Sequence, residues 1–508
     1  MLFFCYTIGK TYVHALRLKN DPRRTATTLK AGYQTMANSL SKPTFLVHDY
    51  ETFGTHPALD RPAQFASIRT DSQFKTLDKP KILFCRPAND YLPEPEAVLM
   101  TGITPQKALQ DGVTEAEFAR CIYLLFNVAG TCILGYNNVC FDDEITRNLF
   151  FRNFYDPYGW SWKHGNSRWD ILNVVRACYA LRPEGVAWPL NTEGLPSFRL
   201  KHLTRANNIE HTNAHDAMTD VYATLEVAKL IRLAQPKLFN YLYRHRGKHQ
   251  LKKLINIRQM TPLVHVSGLF GAARGNTAWI APLAWHPNNP NALIVCDLSG
   301  DTRALADCNS EMLRTRLYTR RAELGSNPAV PLQLVHLNKC PVLAPANTLR
   351  RIDAERLGIH REHCLETLQW LKSRPEVKKK VISIFSENTS FISSSNVDTT
   401  LYDGFFSDAD YAMMSILQTT SPEHLHSLDL SCVDPRLTPL LFRYRARNFP
   451  HTLNHDEQLR WLEHRKTLLT EQRRKDYVKE LVRLYQIHSR NVKKAQLLRA
   501  LFDYLEIL

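Results

Sequence analysis

An Asp-x-Glu pair, Asp49 and Glu51, follows a short apolar run at residues 44–48 (TFLVH). Residues i and i+2 of a β-strand point to one side. The spacing therefore predicts two carboxylates converging at a strand terminus. Two such charges repel, and a divalent cation is a natural way to keep both ionised. A solvated strand end shows the same pattern, so the pair carries little weight alone. Asp142 stands beyond a second apolar run, residues 131–136 (TCILGY), where a helix should begin. An Asp there serves as a helix cap or as a ligand. His215 and Asp220 belong to a third group, HDAMTD. Residues five apart on an ideal helix differ by roughly 140° around its axis. His215 is therefore expected on the loop before a helix, folding back, with Asp220 projecting from the first turn or two.

The elements that must position these groups follow from periodicity. Residues 44–48, 63–69, 81–85 and 131–136 have strand character. Residues 114–127 (TEAEFARCIYLLFN) have helical spacing with Thr114 as N-cap. A helix is expected from Asp142, with Ile145, Leu149 and Phe150 on one face, and a long one just after His215, running to about residue 234. Strands alternating with helices predict an α/β domain over 43–234, ending at Gln235-Pro236. The stretch 235–388 holds short β-like runs at 263–266, 278–280, 292–297 and 333–337, separated by Pro and Asn turns. That pattern predicts a small barrel or sandwich with inserted helices. Residues 387–398 (ENTSFISSSNVD) look like a linker, and 389–508 reads as a helical domain with amphipathic stretches at 459–469 and 473–487.

At 508 residues the chain is long enough for two to four domains. Its 44% hydrophobic and 22% charged residues suit a globular protein, and no apolar run approaches the ~18 residues of a membrane span. The formal charge of +16 favours an anionic partner such as nucleic acid, although many basic proteins bind nothing acidic. Eleven cysteines without a C-x-x-C pair argue against a disulfide framework or structural zinc and fit a reducing cytoplasm. The first 35 residues carry Lys10, Arg17, Lys19, Arg23, Arg24 and Lys30 against Asp21, and so contribute +5 of the charge. Their apolar start lacks a basic leader and makes a poor secretory signal. Translation is expected to begin at Met36, with 1–42 a disordered or mis-called extension; a targeting role is the alternative.

Asp-x-Glu, then Asp, then His-x4-Asp, on a first strand, a helix start and a final helix, resembles the DEDDh 3′→5′ exonuclease superfamily. Longer stretches resemble, within it, the bacterial exodeoxyribonuclease I family: HDYETFGTHPALDRPAQFASIRTD, TCILGYNNVCFDDEITRN, GLPSFRLKHLT and NAHDAMTDVYAT early, LVHVSGLFGAARGNTAWIAPLAWHP, LYDGFFSDAD and FRYRARNFPHTL later. The likeness runs over roughly residues 43–505; residues 1–35 have no counterpart in it.

This resemblance implies a ribonuclease H-like α/β exonuclease domain with a mixed sheet, an SH3-like β-barrel domain and an α-helical C-terminal domain, together C-shaped. Asp49, Glu51, Asp142 and Asp220 would bind two Mg²⁺, with Mn²⁺ as a substitute, and His215 would act as general base. Oxygen donors suit these ions better than zinc, two ions about 3.5–4 Å apart suit an in-line displacement, and an unperturbed histidine titrates near ~6.5. The implied reaction is removal of 5′-mononucleotides from single-stranded DNA, in repair and recombination. The implied partner is the acidic C-terminal tail of single-stranded DNA-binding protein. A monomer in the bacterial cytoplasm is expected.

Glu51, Arg199, Arg147, Tyr158, Trp162 and Arg176, with Trp160, mix carboxylate, guanidinium and ring and are candidates for gripping the strand. About half of them are expected to be contacts and the rest core. Arg274, the 248–253 lysine cluster and YRARNF (444–449) are further basic candidates. Two rivals share the catalytic set or the fold: an RNA-directed oligoribonuclease-like enzyme, disfavoured by the added domains, and a non-catalytic single-strand binder, disfavoured by an intact acidic set.

Overall fold

The computed structural model describes residues 43–211, 215–386, 394–430 and 433–508. The Met36 start, the 1–42 extension and residues 387–393 of the expected linker lie outside them.

The first sheet is mixed and five-stranded. Its strands are β1 (Thr44–Thr52), β2 (Pro62–Asp71), β3 (Lys81–Phe84), β4 (Thr131–Gly135) and β5 (Ser167–Asp170), in the order β3-β2-β1-β4-β5. β1 pairs antiparallel with β2 and parallel with β4, and β5 is parallel to β4. Alternation along β1 sends Phe45 and Val47 to one face, and Leu46 and Tyr50 to the other. The first face is covered by helices Ile171–Leu181 and Ala217–Ala234, through Val174, Val175, Val221 and Leu225. The second is covered by helices Glu115–Phe126 and Asp142–Arg152, through Phe118, Ile122, Ile145 and Leu149. By register Asp49 and Glu51 share the side of Phe45 and Val47, which is the side of the Ala217–Ala234 helix.

Helix starts follow local chemistry. Thr114 caps its helix by accepting the Glu117 N–H at 3.4 Å, and Asp216 caps Ala217–Ala234 by accepting the Thr219 N–H at 3.1 Å. Asp142 is not a cap. It is the first helical residue, Phe141 holds the cap position, and the Asp142 carboxylate is turned to the sheet instead.

The second sheet is antiparallel, formed by β6 (Leu263–Val266), β7 (Thr277–Trp285), β8 (Ala292–Asp297), β9 (Leu332–His336) and β10 (Val342–Pro345), ordered β10-β6-β7-β8-β9. One apolar core runs without a break from Phe45 and Val47 through Leu238 and Phe239 to Val264, Ile294 and Leu368. Pro236, expected to mark a boundary, opens another helix, Pro236–Arg244, whose Leu238, Phe239 and Leu242 join that core.

The last part is helical, with Asp408–Thr419, Leu437–Asn448, His455–Leu468, Glu471–His488 and Val492–Ile507 as its larger helices. It is joined to the first domain by a buried charge seam. Asp398 receives Arg61 at 3.2 Å, Arg443 at 3.1 Å and Arg447 at 2.6 Å, and Arg447 also reaches Asp90 at 2.7 Å. Beside them, Arg152 grips Glu115 at 3.1 Å, and Asn448 accepts the Ala116 N–H at 2.8 Å. An apolar patch of Phe53, Tyr91 and Val98 against Leu481, Leu484 and Leu501 completes the contact.

Candidate active site

The parallel pairing of β1 with β4 ends at Val47 and Leu134. Beyond it β1 continues alone on that side, carrying Asp49 and Glu51 past the sheet's last rung. A register shift at Glu51 and Thr52 loosens the strand there, as bulges next to active sites do. β4 leaves the sheet at Gly135, where a Cβ would stand 2.9 Å from the His48 carbonyl oxygen and from Asn138 Cβ. Glycine thus lets the chain turn tightly into the helix that begins at Asp142. There the N–H of Tyr50, the residue between Asp49 and Glu51, donates to Asp142 Oδ1 at 3.1 Å.

The third element is the Ala217–Ala234 helix. Asp220 lies in its first turn, and His215 sits on the turn before it with φ +72°. The His215 N–H donates to Asp220 Oδ2 at 3.1 Å. Ligand atoms of Glu51, His215 and Asp220 lie within 4.8 Å of one another. The loop placement of His215 and the first-turn placement of Asp220 agree with the sequence spacing.

The electrostatics report the same clustering. Burial, then Asp142, Glu51, Asp220 and Asp216, push the Asp49 carboxyl well above the usual carboxylate range. Burial, then Asp220, Asp142 and Asp216, push Glu51 up to about 8. Burial and Asp143 push Asp142 up to about 7, against the backbone N–H bonds it accepts. Among the described residues no Lys or Arg forms an ion pair with Asp49, Glu51 or Asp142. Gathered carboxylates without a protein counter-charge, one imidazole away, match the donor set of a hard divalent cation. The cluster therefore fits a metal centre.

The flanking candidates divide. Trp162 is 63% exposed and Arg199 is exposed before the helix Leu200–Ala206. Tyr158 is half-buried with Arg147 over its ring at 5.8 Å, and Arg147 also pairs with Glu144 at 2.5 Å. Arg176 bonds Asn173 at 3.3 Å and lies against Gly268. Trp160 falls on the core side of that division: it is 1% exposed, packs on Phe126 and donates to the Pro157 carbonyl at 2.9 Å. Arg274 is committed to Asp297 at 2.6 and 3.1 Å. In YRARNF, Arg445 is buried against Glu457 and Arg447 against Asp90 and Asp398. Neither arginine is available to an acidic tail.

Sequence reasoning missed Tyr402, Phe405, the Asp143–Arg168 pair and His211. Tyr402 and Phe405 come from the helical domain, are 60% and 85% exposed, and stand 6.4 and 5.8 Å from the Tyr158 ring. LYDGFF carries both rings, but only the fold brings them beside Tyr158. Asp143 is fully buried against Arg168, which also donates to the Asn338 carbonyl at 2.5 Å. His211 contacts Asp220, which only the fold reveals.

Comparison with known proteins gives the same order of parts. Residues 46–228 match the model of the Exonuclease family, 246–387 that of the Exonuclease I SH3-like domain, and 395–508 that of the Exonuclease I C-terminal domain. Exodeoxyribonuclease I of Escherichia coli (strain K12) is 60% identical over 471 residues, 93% of this chain and 99% of that protein. The crystal structure of E. coli Exonuclease I in complex with a dA16 oligonucleotide superposes with a TM-score of 0.90 at 61% identity, covering 91% of this chain and 99% of that one. A crystal structure of SSB/Exonuclease I in complex with inhibitor CFAM has a TM-score of 0.86 at 59% identity, over 92% and 99% of the two chains.

Proposed function

The chain belongs to the exodeoxyribonuclease I family, and from that premise we propose that it shortens single-stranded DNA from the 3′ end, releasing 5′-mononucleotides. The observation that carries this reading is the convergence of Asp49, Glu51, Asp142 and Asp220 with His215 at one strand end. Bound divalent cations, two Mg²⁺ in this reading, would supply charge neutralisation at the scissile phosphate and an acidified water. Asp49, Glu51, Asp142 and Asp220 would hold them. His215, exposed on its turn, accepts the proton from water as the water oxygen bonds to phosphorus and the 3′ oxygen departs.

Around this centre Arg199, Trp162, Tyr158, Arg147 and Arg176 receive the strand. Exposed rings stack bases without regard to sequence, at about 1–3 kcal/mol per base, and guanidinium groups take phosphates. The partner is the tail of single-stranded DNA-binding protein, in line with the SSB/Exonuclease I crystal structure. The site of action in this reading is the bacterial cytoplasm, in DNA repair. No helix among the described residues is long and apolar enough to cross a membrane.

The test is digestion of 5′-labelled single- and double-stranded DNA, and of single-stranded RNA, in Mg²⁺ or EDTA. Progressive shortening of single-stranded DNA from the 3′ end, in metal alone, is expected. Internal nicking, activity in EDTA or preference for RNA would refute the reading.

A further inference from the structure

His211 is a histidine with no motif around it, four residues before His215, on a loop rather than on a strand or helix. Its side chain is nevertheless only 3% exposed. Both ring nitrogens have polar partners. Nε2 lies 2.5 Å from Asp220 Oδ1, and Nδ1 lies 3.1 Å from Thr204 Oγ1. In the tautomer with the proton on Nε2, the ring donates to the Asp220 carboxylate. Thr204 is fully buried on the helix Leu200–Ala206, which packs against Ala217–Ala234, and its hydroxyl also lies 3.1 Å from the Lys201 carbonyl.

We propose that His211 is a positioning residue, which fixes the Asp220 carboxylate as a metal ligand by tying it through Thr204 to the neighbouring helix. The inference rests on the family reading above. Asp220 projects from the first turn of its own helix, and the hydrogen bonds to its carboxylate come from His211 and His215, outside that helix. The two bonds it accepts come from two residues that precede its helix: Oδ1 from His211 Nε2, Oδ2 from the His215 N–H. Each carboxylate oxygen has two lone-pair directions, so this clamp orients the group and still leaves a direction on each oxygen for a cation. Asp142 is held by the same device, a hydrogen bond from the adjacent strand at Tyr50. In both cases an acid carried on a helix is aimed by a segment outside that helix. Groups that bond to metal ligands in this way typically contribute about 10–100-fold to metal affinity.

The experiment titrates Mn²⁺ into the full chain by calorimetry, for the wild type and for His211→Ala, His211→Gln, Thr204→Val and Asp220→Asn. Single-stranded DNA binding in EDTA and thermal melting are measured alongside. His211→Ala should weaken Mn²⁺ binding about 10–100-fold while leaving DNA binding in EDTA unchanged. His211→Gln, whose amide N–H can still reach Asp220, should recover most of the loss, and Thr204→Val should show a smaller one. In an Asp220→Asn background, His211→Ala should change Mn²⁺ binding no further. Wild-type affinity in His211→Ala would overturn the proposal. So would an equal loss in His211→Gln, or the same loss in the Asp220→Asn background. If His211→Ala does not fold, Thr204→Val carries the test, with His211→Gln as its near-wild-type control. Failure of the wild type itself to bind Mn²⁺ would refute the metal-centre reading instead.

Discussion

The backbone N–H of Tyr50 donates to Oδ1 of Asp142 at 3.1 Å, across 92 residues of sequence. The peptide that separates Asp49 from Glu51 is thus the one that fastens the third acid beside them. Removing one carboxylate should leave this scaffold standing and remove a ligand. Asp49→Asn is expected to lower turnover at least about a thousandfold, which is several kcal/mol of lost transition-state stabilisation, with single-stranded DNA affinity retained. Filter-binding and gel-based digestion of the same preparation check this; normal turnover would remove Asp49 from the centre.

Divalent metal should raise thermal stability. Asp49, Glu51 and Asp142 are mutually repelling and lack protein cations, and an ion that binds the folded chain alone stabilises it by mass action. Melting should move upward in Mn²⁺ relative to EDTA at matched ionic strength, and Glu51→Gln should shrink that increment. An increment unchanged in Glu51→Gln would place the bound ion elsewhere.

His215 accepts no burden of folding: it is exposed, and its link to Asp220 is through the backbone. His215→Ala should therefore keep Mn²⁺ affinity near that of the wild type and lower turnover about 10²–10⁴-fold, the usual worth of a general base. Single-turnover kinetics at saturating DNA read the loss directly.

Two tryptophans two residues apart should behave oppositely. Trp162→Ala should weaken single-stranded DNA binding by about 1–3 kcal/mol with an unchanged melting curve. Trp160→Ala should cost about 3–5 kcal/mol of stability, because its ring fills the space beside Phe126. Fluorescence anisotropy and denaturant titration separate the two effects.

The charge seam gives the chain an acid limit. Burial raises the Asp398 carboxyl, but Arg447 and Arg61 overrule it and hold the group well below the usual carboxylate range; Asp90 is held down by Arg447 in the same way. A depressed folded value means stability present above the unfolded value of about 3.9 and lost as pH falls below it. Melting should drop steeply under about pH 4. Arg447→Met, which leaves Asp90 without its strongest partner, should cost about 3–5 kcal/mol at neutral pH.

Much of the site was legible because its residues sit where local patterns change. Asp49 and Glu51 end an apolar run, and His215 and Asp220 straddle a helix start, so spacing put them on those elements while their roles were implied only by the resemblance. Asp142 was readable as a helix start, with cap and ligand both open from the residues and the ligand role implied only by the resemblance; its turn toward the sheet is made by the Tyr50 N–H, far away in sequence. Trp160 and Trp162 look alike in sequence; a short 3-10 turn, Gly159–Ser161, points one inward and leaves the other outside. His211, Arg168 and the YRARNF arginines depend on partners in other elements, which no periodicity records. β10 was missed because VLAP is too short to alternate visibly.

The seam also sets an order of events in the cell. Asp90 meets Arg447 across 357 residues, so at about 5–20 residues per second its counter-ion leaves the ribosome roughly 20–70 s later. Until then Asp90 and Arg61 keep their water and the first domain lacks one wall. The nuclease fold is finished from its far end, and a chain released early carries that wall open.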